Sequence, residues 1–273
     1  MFYLILAFCS SAMVSIVMRL SDGKTTRRMG MLAVNYVMCS VLAALDAGSG
    51  ELMTFSPLTG ALGIVSGFFY LGGFVAFQRS VSRSGVVLSA TFMKLGLLVS
   101  MVISILFFGE IPGPMQALGF ALAVAAIVMI NYHSGSGKFN AGLLLLLFVG
   151  GMCDGMSKIY EEMGDAALSG QFLFYTFFTA LVLCLVLAAQ KKELPGLWEW
   201  IYGMAIGVPN YLSSRFLLQS LAYVPSVIAY PVYSVAGILL VTLAGVVFFR
   251  ERLEKRQWVA LGIILVSLIL LNV

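Results

Sequence analysis

Apolar residues in this chain neither alternate nor keep to one helical stripe. They fill long windows near 2–20, 29–46, 58–78, 85–109, 113–132, 141–161, 168–190, 197–221, 225–249 and 256–272. Each window is close to the roughly 20 residues a helix needs to cross a bilayer, so the pattern predicts an all-α polytopic membrane protein with ten spanning helices. Short polar turns punctuate the windows, among them Ser21-Asp22-Gly23-Lys24, Ile111-Pro112-Gly113-Pro114 and Lys191-Lys192-Glu193-Leu194-Pro195.

The windows repeat. A shift of 141 places Phe107-Phe108-x-Glu110 on Phe248-Phe249-x-Glu251, Gln116 on Gln257, Asn131 on Asn272, Gly96 on Gly237 and Gln78 on Gln219. Earlier in each half a shift of 140 serves better, placing Gly63 and Gly67 on Gly203 and Gly207, and Phe8 on Phe148. A one-residue slip near Pro209 reconciles the two. The chain therefore divides into a first five-helix repeat, 1–132, a polar linker, 133–140, and a second five-helix repeat, 141–273.

An odd number of helices per repeat turns the second half upside down in the membrane, and the charges provide an independent check. Basic residues follow helix 1 (Arg19, Lys24, Arg27, Arg28), helix 3 (Arg79, Arg83), the linker (Lys138), helix 7 (Lys191, Lys192) and helix 9 (Arg250, Arg252, Lys255, Arg256). The opposite loops carry only acids: Asp46, Glu51, Glu110, Glu161, Glu162 and Asp165. By the positive-inside rule the basic loops face the cytoplasm and both termini lie outside. This is the charge pattern of an inverted repeat.

Composition agrees with a membrane chain. Of 273 residues, 61% are hydrophobic and 10% charged, against about 25% charged in soluble domains, which excludes a soluble catalytic domain. The net charge of +4 reflects loop placement, and no nucleic-acid partner is expected. Cys9, Cys39, Cys153 and Cys184 lie in apolar runs without a C-x-x-C spacing, so they read as small core residues rather than a disulfide framework or metal site. No basic segment precedes the first apolar window and no cleavage signal follows it, so that window reads as a membrane helix.

Two stretches carry a resemblance. Ser89 to Asn131 contains KLGLLVSMVISILFFGEIPGPMQALGFALAVAAIVMIN, and Pro231 to Asn272 contains PVYSVAGILLVTLAGVVFFRERLEKRQWVALGIILVSLILLN. Each resembles the fourth-plus-fifth-helix signature of the drug/metabolite transporter superfamily, EamA-like branch: an apolar helix ending in Glu, a turn with Gln, then a helix with small residues. In the second copy Arg250 replaces the Gly before Glu, and Ala260 stands where Gly119 does. The resemblance implies a secondary transporter with a central cavity lined by helices 1–4 and 6–9, helices 5 and 10 lying outside it. It implies no particular substrate. Small multidrug relatives bind cations through a Glu in the first helix, and residues 2–20 hold no acid, which disfavours that route.

Four ionisable residues fall inside spans: Lys94, Asp154, Lys158 and Arg215. A charge in hydrocarbon costs roughly 2.5–3.5 kcal/mol even on the gentlest scale, so each needs a partner, water or a route to the interface. At 1.5 Å per residue, Lys94 lies ~14 Å and Asp154 ~20 Å from the cytoplasmic ends of their helices. Two readings stand: a structural Lys94–Asp154 ion pair, or groups facing a cavity and binding substrate or a proton. Their repeat mates, Val235 and Val14, are apolar, so scaffold symmetry does not demand them. Lys158 shares a helix face with Asp154. Arg215, near a helix end, reads as snorkelling to the interface.

Prolines mark Gly207-Val208-Pro209-Asn210-Tyr211 and Tyr230-Pro231-Val232-Tyr233, where a freed carbonyl signals either a plain kink or the broken helix of a binding site. The candidate substrate-binding set is thus Lys94, Asp154, Lys158, Asn210, Tyr211, Tyr230, Tyr233, Asn35 and Tyr70. Tyr36 and Tyr175 are alternatively interface-belt residues. The paired glycines read as close helix packing. Glu110 and Glu251 fall at opposite membrane faces and read as turn and helix-start residues. Ser134-Gly135-Ser136-Gly137-Lys138 has the look of a phosphate loop but lacks its first Gly and its Ser/Thr.

The function expected is secondary transport of a small polar, zwitterionic or anionic metabolite by alternating access, from a bacterial cytoplasmic membrane. The partners expected are that substrate, the lipid bilayer and, left open, a proton or counter-transported solute; oligomeric state is not determined. A membrane-embedded lipid-linked transferase is the alternative, but His133 is the sole histidine and G-x-S-x-G, H-E-x-x-H and Asp-rich motifs are missing, so no catalytic residue, cofactor or metal is expected. A non-transporting membrane subunit is the third reading.

Overall fold

The computed structural model describes residues 2–54, 56–108, 113–131, 140–221, 223–224 and 226–271. Among these the chain forms α1 (Phe2–Ser21), α2 (Arg28–Met53), α3 (Pro57–Ser84), α4 (Val86–Lys94), α5 (Leu97–Phe108), α6 (Pro114–Asn131), α7 (Ala141–Met163), α8 (Ser169–Gln190), α9 (Leu197–Leu221), α10 (Ser226–Val247) and α11 (Lys255–Leu270), with a 3-10 turn at Ala166–Leu168. No strand occurs among the described residues. By length and composition, α1, α2, α3, α7 and α8 are apolar and long enough to cross a membrane, while α6 and α10 contain shorter apolar stretches. The linker 133–139 and Glu110 lie outside the described residues.

The predicted fourth span is two helices, α4 and α5, and the break has a packing cause. The ladder tightens at Gly96, whose N–H donates to Met93 O at 3.2 Å, while Leu98 N–H reaches Leu95 O at 3.0 Å. A Cβ on Gly96 would sit 2.7 Å from Gly151 Cα on α7, so the break brings two backbones into contact where no side chain fits. Gly150 faces Met93 from the same turn of α7.

The repeated glycines do equivalent work in the two halves. On α3, a Cβ at Gly63 or Gly67 would meet Tyr175 Cβ or Thr179 Cβ of α8 at 2.6 Å. On α9, Gly203 would meet Val34 Cβ at 2.6 Å and Gly207 the Asn35 carbonyl at 2.7 Å, both on α2. With lipid as apolar as the core, such close approach rather than hydrophobicity selects the buried face. α8 shows this: Phe177, Ala180, Cys184 and Ala188 face inward, while the equally apolar Phe178, Val182 and Leu185 are exposed.

The packing pairs interchange when the halves are exchanged. α2 lies on α8; α1 on α9 matches α3 on α7; α2 on α9 matches α3 on α8; and α6 lies on α11. The α6 and α11 starts also match, the Gln116 side chain accepting from Gly113 N–H at 3.0 Å and Gln257 from Glu254 N–H at 2.9 Å.

Carboxylates from one half close helix starts in the other. Glu251, between α10 and α11, accepts from Val86 and Val87 N–H at the start of α4 (2.8 and 3.2 Å). Glu193 accepts from Met29 N–H at the start of α2 (2.8 Å), and Glu51 from Gln171 N–H at the start of α8 (3.2 Å). Glu199 accepts from Thr26 and Arg27 N–H, each at 3.2 Å. A carboxylate at a helix N-terminus satisfies orphan donors and complements the dipole. Glu251 is therefore a helix-start residue as expected, but for α4 rather than for the helix that follows it.

Candidate functional site

A central cavity with ≈ 850 Å³ of empty volume, counting open solvent at its mouth, is walled by α1, α3, α4, α7, α9 and α10. Among the described residues α6 and α11 do not line it, in line with the outer place the resemblance implies for them, and neither do α2 and α8, which the resemblance implies as part of the wall. The Gly63/Gly67 and Gly203/Gly207 contacts draw α8 onto α3 and α2 onto α9 from behind, so those two helices buttress the wall.

Lys94 ends α4 one residue before the break. A helix C-terminus carries a partial negative charge that favours a cation, so the break both exposes Lys94 to the cavity and steadies its charge. Its Nζ stands 3.5 Å from the centroid of the Tyr233 ring, a cation–π arrangement. The Tyr233 hydroxyl lies 2.9 Å from Ser213 Oγ. A Cβ at Gly237 would lie 3.5 Å from Lys94 Cε, so the glycine leaves room for the lysine stem.

Asp154 lines the same cavity from α7, one turn beyond the Gly150-Gly151 contact that sets α7 against the α4–α5 break. Among the described residues there is no direct Lys94–Asp154 ion pair. The two charges share one cavity without a direct contact, the Lys94 ammonium lying over the Tyr233 ring.

Asn210, Tyr70 and Tyr233 also line the cavity, as do Ser11, Ser15, Ser213 and Ser214. The serines were legible only as an i,i+4 pair on the first window and a Ser-Ser step on the eighth. Asn35 stands behind the wall: its Oδ1 accepts from Asn210 Nδ2 at 3.2 Å, and its own Nδ2 is buried without a partner. Tyr211 is buried toward Phe177, at 6.3 Å between ring centroids, and does not line the cavity. The Tyr230 side chain lies outside the described residues.

Lys158 does not join the site. It binds Glu162 at 2.6 Å, one turn onward on α7. Arg215 does not simply snorkel: its Nε lies 2.7 Å from Asp46 Oδ2 of α2. Tyr36 is fully buried, its hydroxyl donating to the Tyr70 carbonyl at 2.9 Å, so it is no interface-belt residue. Among the described residues no cluster of His, Cys, Asp and Glu could hold a metal.

Two clusters lie toward the two ends of α1, whose Ser11 and Ser15 line the cavity. On the basic-loop side, Arg19 contacts Asp22 (3.2 Å) and Glu251 (3.4 Å), Asp22 accepts from Ser82 Oγ (2.6 Å), and Val81, Val86 and Val87 are buried beneath. At the other end a small separate apolar cluster joins Leu4, Val224 and Ala229, with Tyr233 packed against it.

The sequence pattern of the EamA-like transporter family matches residues 1–132 and again 141–273. The chain belongs to the EamA-like transporter family. It is an integral membrane protein, and no catalytic family is indicated. Among relatives of this EamA-like protein, an uncharacterized protein of Haemophilus influenzae is 24% identical over 283 residues, covering 96% of this chain and 93% of its own. A probable 4-amino-4-deoxy-L-arabinose-phosphoundecaprenol flippase subunit, ArnE, of Hamiltonella defensa is 41% identical over 55 residues, which is 20% of this chain and 49% of that protein. A solved crystal structure superposes on 98% of this chain and 95% of its own with a TM-score of 0.62 at 16% identity, a likeness of fold alone.

Proposed function

We propose that this EamA-like protein is a secondary transporter for a small polar, zwitterionic or anionic metabolite, working by alternating access between two inverted five-helix halves. In this reading there are ten spans, α4 and α5 forming one, and both termini lie outside a bacterial cytoplasmic membrane. The observation that carries it is that Lys94 and Asp154 line one central cavity without pairing. Two opposite charges on one cavity wall without a direct ion pair suit a ligand that brings both signs, or an anion on Lys94 with a proton on Asp154. The serines, Asn210 and Tyr233 add neutral donors and acceptors, as a binding cavity needs.

The two clusters support alternating access. The basic-loop side carries an ion-pair network beside packed valines, whereas the described residues at the other side include an apolar cluster of Leu4, Val224 and Ala229 with Leu217, Val232 and Tyr233 packed against it. Exchange of the basic-loop side between closed and open requires breaking Arg19–Glu251 and the α4 cap, which are contacts between halves.

Flux in proteoliposomes tests the reading, after a thermal-shift screen of amino acids, sugars, nucleosides and amines has found a stabilising ligand. Lys94→Met, Asp154→Leu and the double variant are expected to stay folded and lose flux. Breaking a buried ion pair costs about 3–5 kcal/mol, so with no direct pair each single variant should lose much less than that. Normal flux in the double variant would overturn the cavity assignment.

A further inference from the structure

A second concavity lies on the outer surface, away from the central cavity. It is a groove between α3, the start of α7 and the end of α8, with ≈ 1410 Å³ of empty volume counting its open side. Its walls are apolar, including Phe68, Leu145 and Val186, which are 57%, 54% and 50% exposed. Among the described residues its polar lining groups cluster toward one end: Arg79, Ser80, Arg83, Ser84 and Asn140, whose Nδ2 donates to Ser84 Oγ at 3.2 Å.

The charge at that end is unbalanced. Arg79 and Arg83 are exposed, lie four residues apart on one face of α3, and enter no ion pair among the described residues. Like charges at this spacing repel. Among the described residues no Asp or Glu lines the groove, which thus holds no counter-charge among them.

The dimensions match one lipid leaflet. From Phe68 to Arg79 is eleven residues, or ~16 Å at 1.5 Å per residue, about half of a ~30 Å hydrocarbon core. Positions 141 residues beyond the arginines are Ser220 and Val224, so the charged end is peculiar to the first half.

We propose that this groove binds an anionic glycerophospholipid from the leaflet on the basic-loop side. The phosphate lies on Arg79 and Arg83 with Ser84 and Asn140 as neutral partners, and one acyl chain lies along the groove toward Phe68. A zwitterionic lipid fits less well, because its ammonium meets two guanidiniums and no carboxylate. Attraction of about 1 kcal/mol per basic residue near an anionic surface converts, for two arginines, to roughly a thirtyfold preference.

Native mass spectrometry of the purified full chain, titrated with phosphatidylglycerol or phosphatidylethanolamine of identical acyl chains, tests this without any transport assay. The wild type should retain phosphatidylglycerol roughly thirtyfold better. Arg79→Gln with Arg83→Gln, both at exposed positions, should bring the ratio to about one. Val186→Trp, which fills the groove from its exposed rim, should weaken retention of both lipids. Lys191→Gln with Lys192→Gln, basic-loop residues outside the groove, should leave the preference unchanged, and glycerol phosphate without acyl chains should not compete. Equal retention of the two lipids by the wild type, or a preference that survives the Arg79/Arg83 variant, would overturn the proposal.

Discussion

Removing the Glu251 carboxylate should loosen the α4 start more than its loop position suggests. Glu251 uses both oxygens on α4, Oε1 on Val86 N–H at 2.8 Å and Oε2 on Val87 N–H at 3.2 Å, and Oε1 also faces Arg19 Nε at 3.4 Å. Its side chain is 10% exposed, so water replaces these contacts poorly. A lost helix cap costs about 0.5–2 kcal/mol, and loss of a favourable charge at a helix terminus about 0.3–1 kcal/mol more. Arg19 keeps Asp22 at 3.2 Å, so the ion-pair part is small. Glu251→Ala should therefore cost about 2 kcal/mol. Glu251→Gln should cost about 1 kcal/mol, since its amide retains one acceptor but turns an N–H toward a second N–H. Equilibrium unfolding in mixed micelles under increasing dodecyl sulfate, followed by tryptophan fluorescence, measures both. The exposed cap at α11 is the control: Glu254→Ala should cost less than Glu251→Ala. If both Glu251 variants unfold with the wild type, the cross-half cap contributes nothing and the basic-loop cluster is mispictured.

Glycine substitutions should split by sign. Gly207→Ala drives a Cβ to 2.7 Å from the Asn35 carbonyl and should cost about 1–3 kcal/mol by overpacking. Gly262→Ala meets nothing within 4 Å and should gain up to about 1 kcal/mol from helix propensity; the same unfolding titration reads both, and equal effects would refute close packing of α9 on α2. Arg250 has φ 52°, a left-handed conformation that costs a side-chain-bearing residue roughly 1–2 kcal/mol, so Arg250→Gly should raise stability by about 0.5–1 kcal/mol. A loss on that change would show that the arginine side chain matters more than its backbone. A double-mutant cycle with Asp46→Asn and Arg215→Gln should give a coupling of about 0.2–1 kcal/mol, as for a partly exposed pair, and none if Arg215 merely snorkels.

Some of this protein was readable one residue at a time. Apolar windows of bilayer length, loop charges and the Glu-turn-Gln signature are local or periodic features, so they brought out the polytopic helical class, the repeat spacing and the family resemblance. The roles of Gly63, Gly67, Gly203 and Gly207 were legible for the same reason, since small residues four apart have few other uses in a membrane helix. What needed the tertiary structure depends on residues far apart in sequence. The fourth window looks continuous because nothing local breaks it at Leu95-Gly96; the contact with Gly151 does. Lys94 and Asp154 invited pairing by depth and sign, yet the Tyr233 ring took the lysine. Tyr211 follows the cavity residue Asn210 yet turns away from it, and Asn35 sits on α2, a helix that stands behind the wall; which face and which helix reach the cavity depends on packing between helices far apart in sequence. Which helix starts Glu51, Glu193, Glu199 and Glu251 serve could not be read locally, since the N–H groups they satisfy belong to the opposite half.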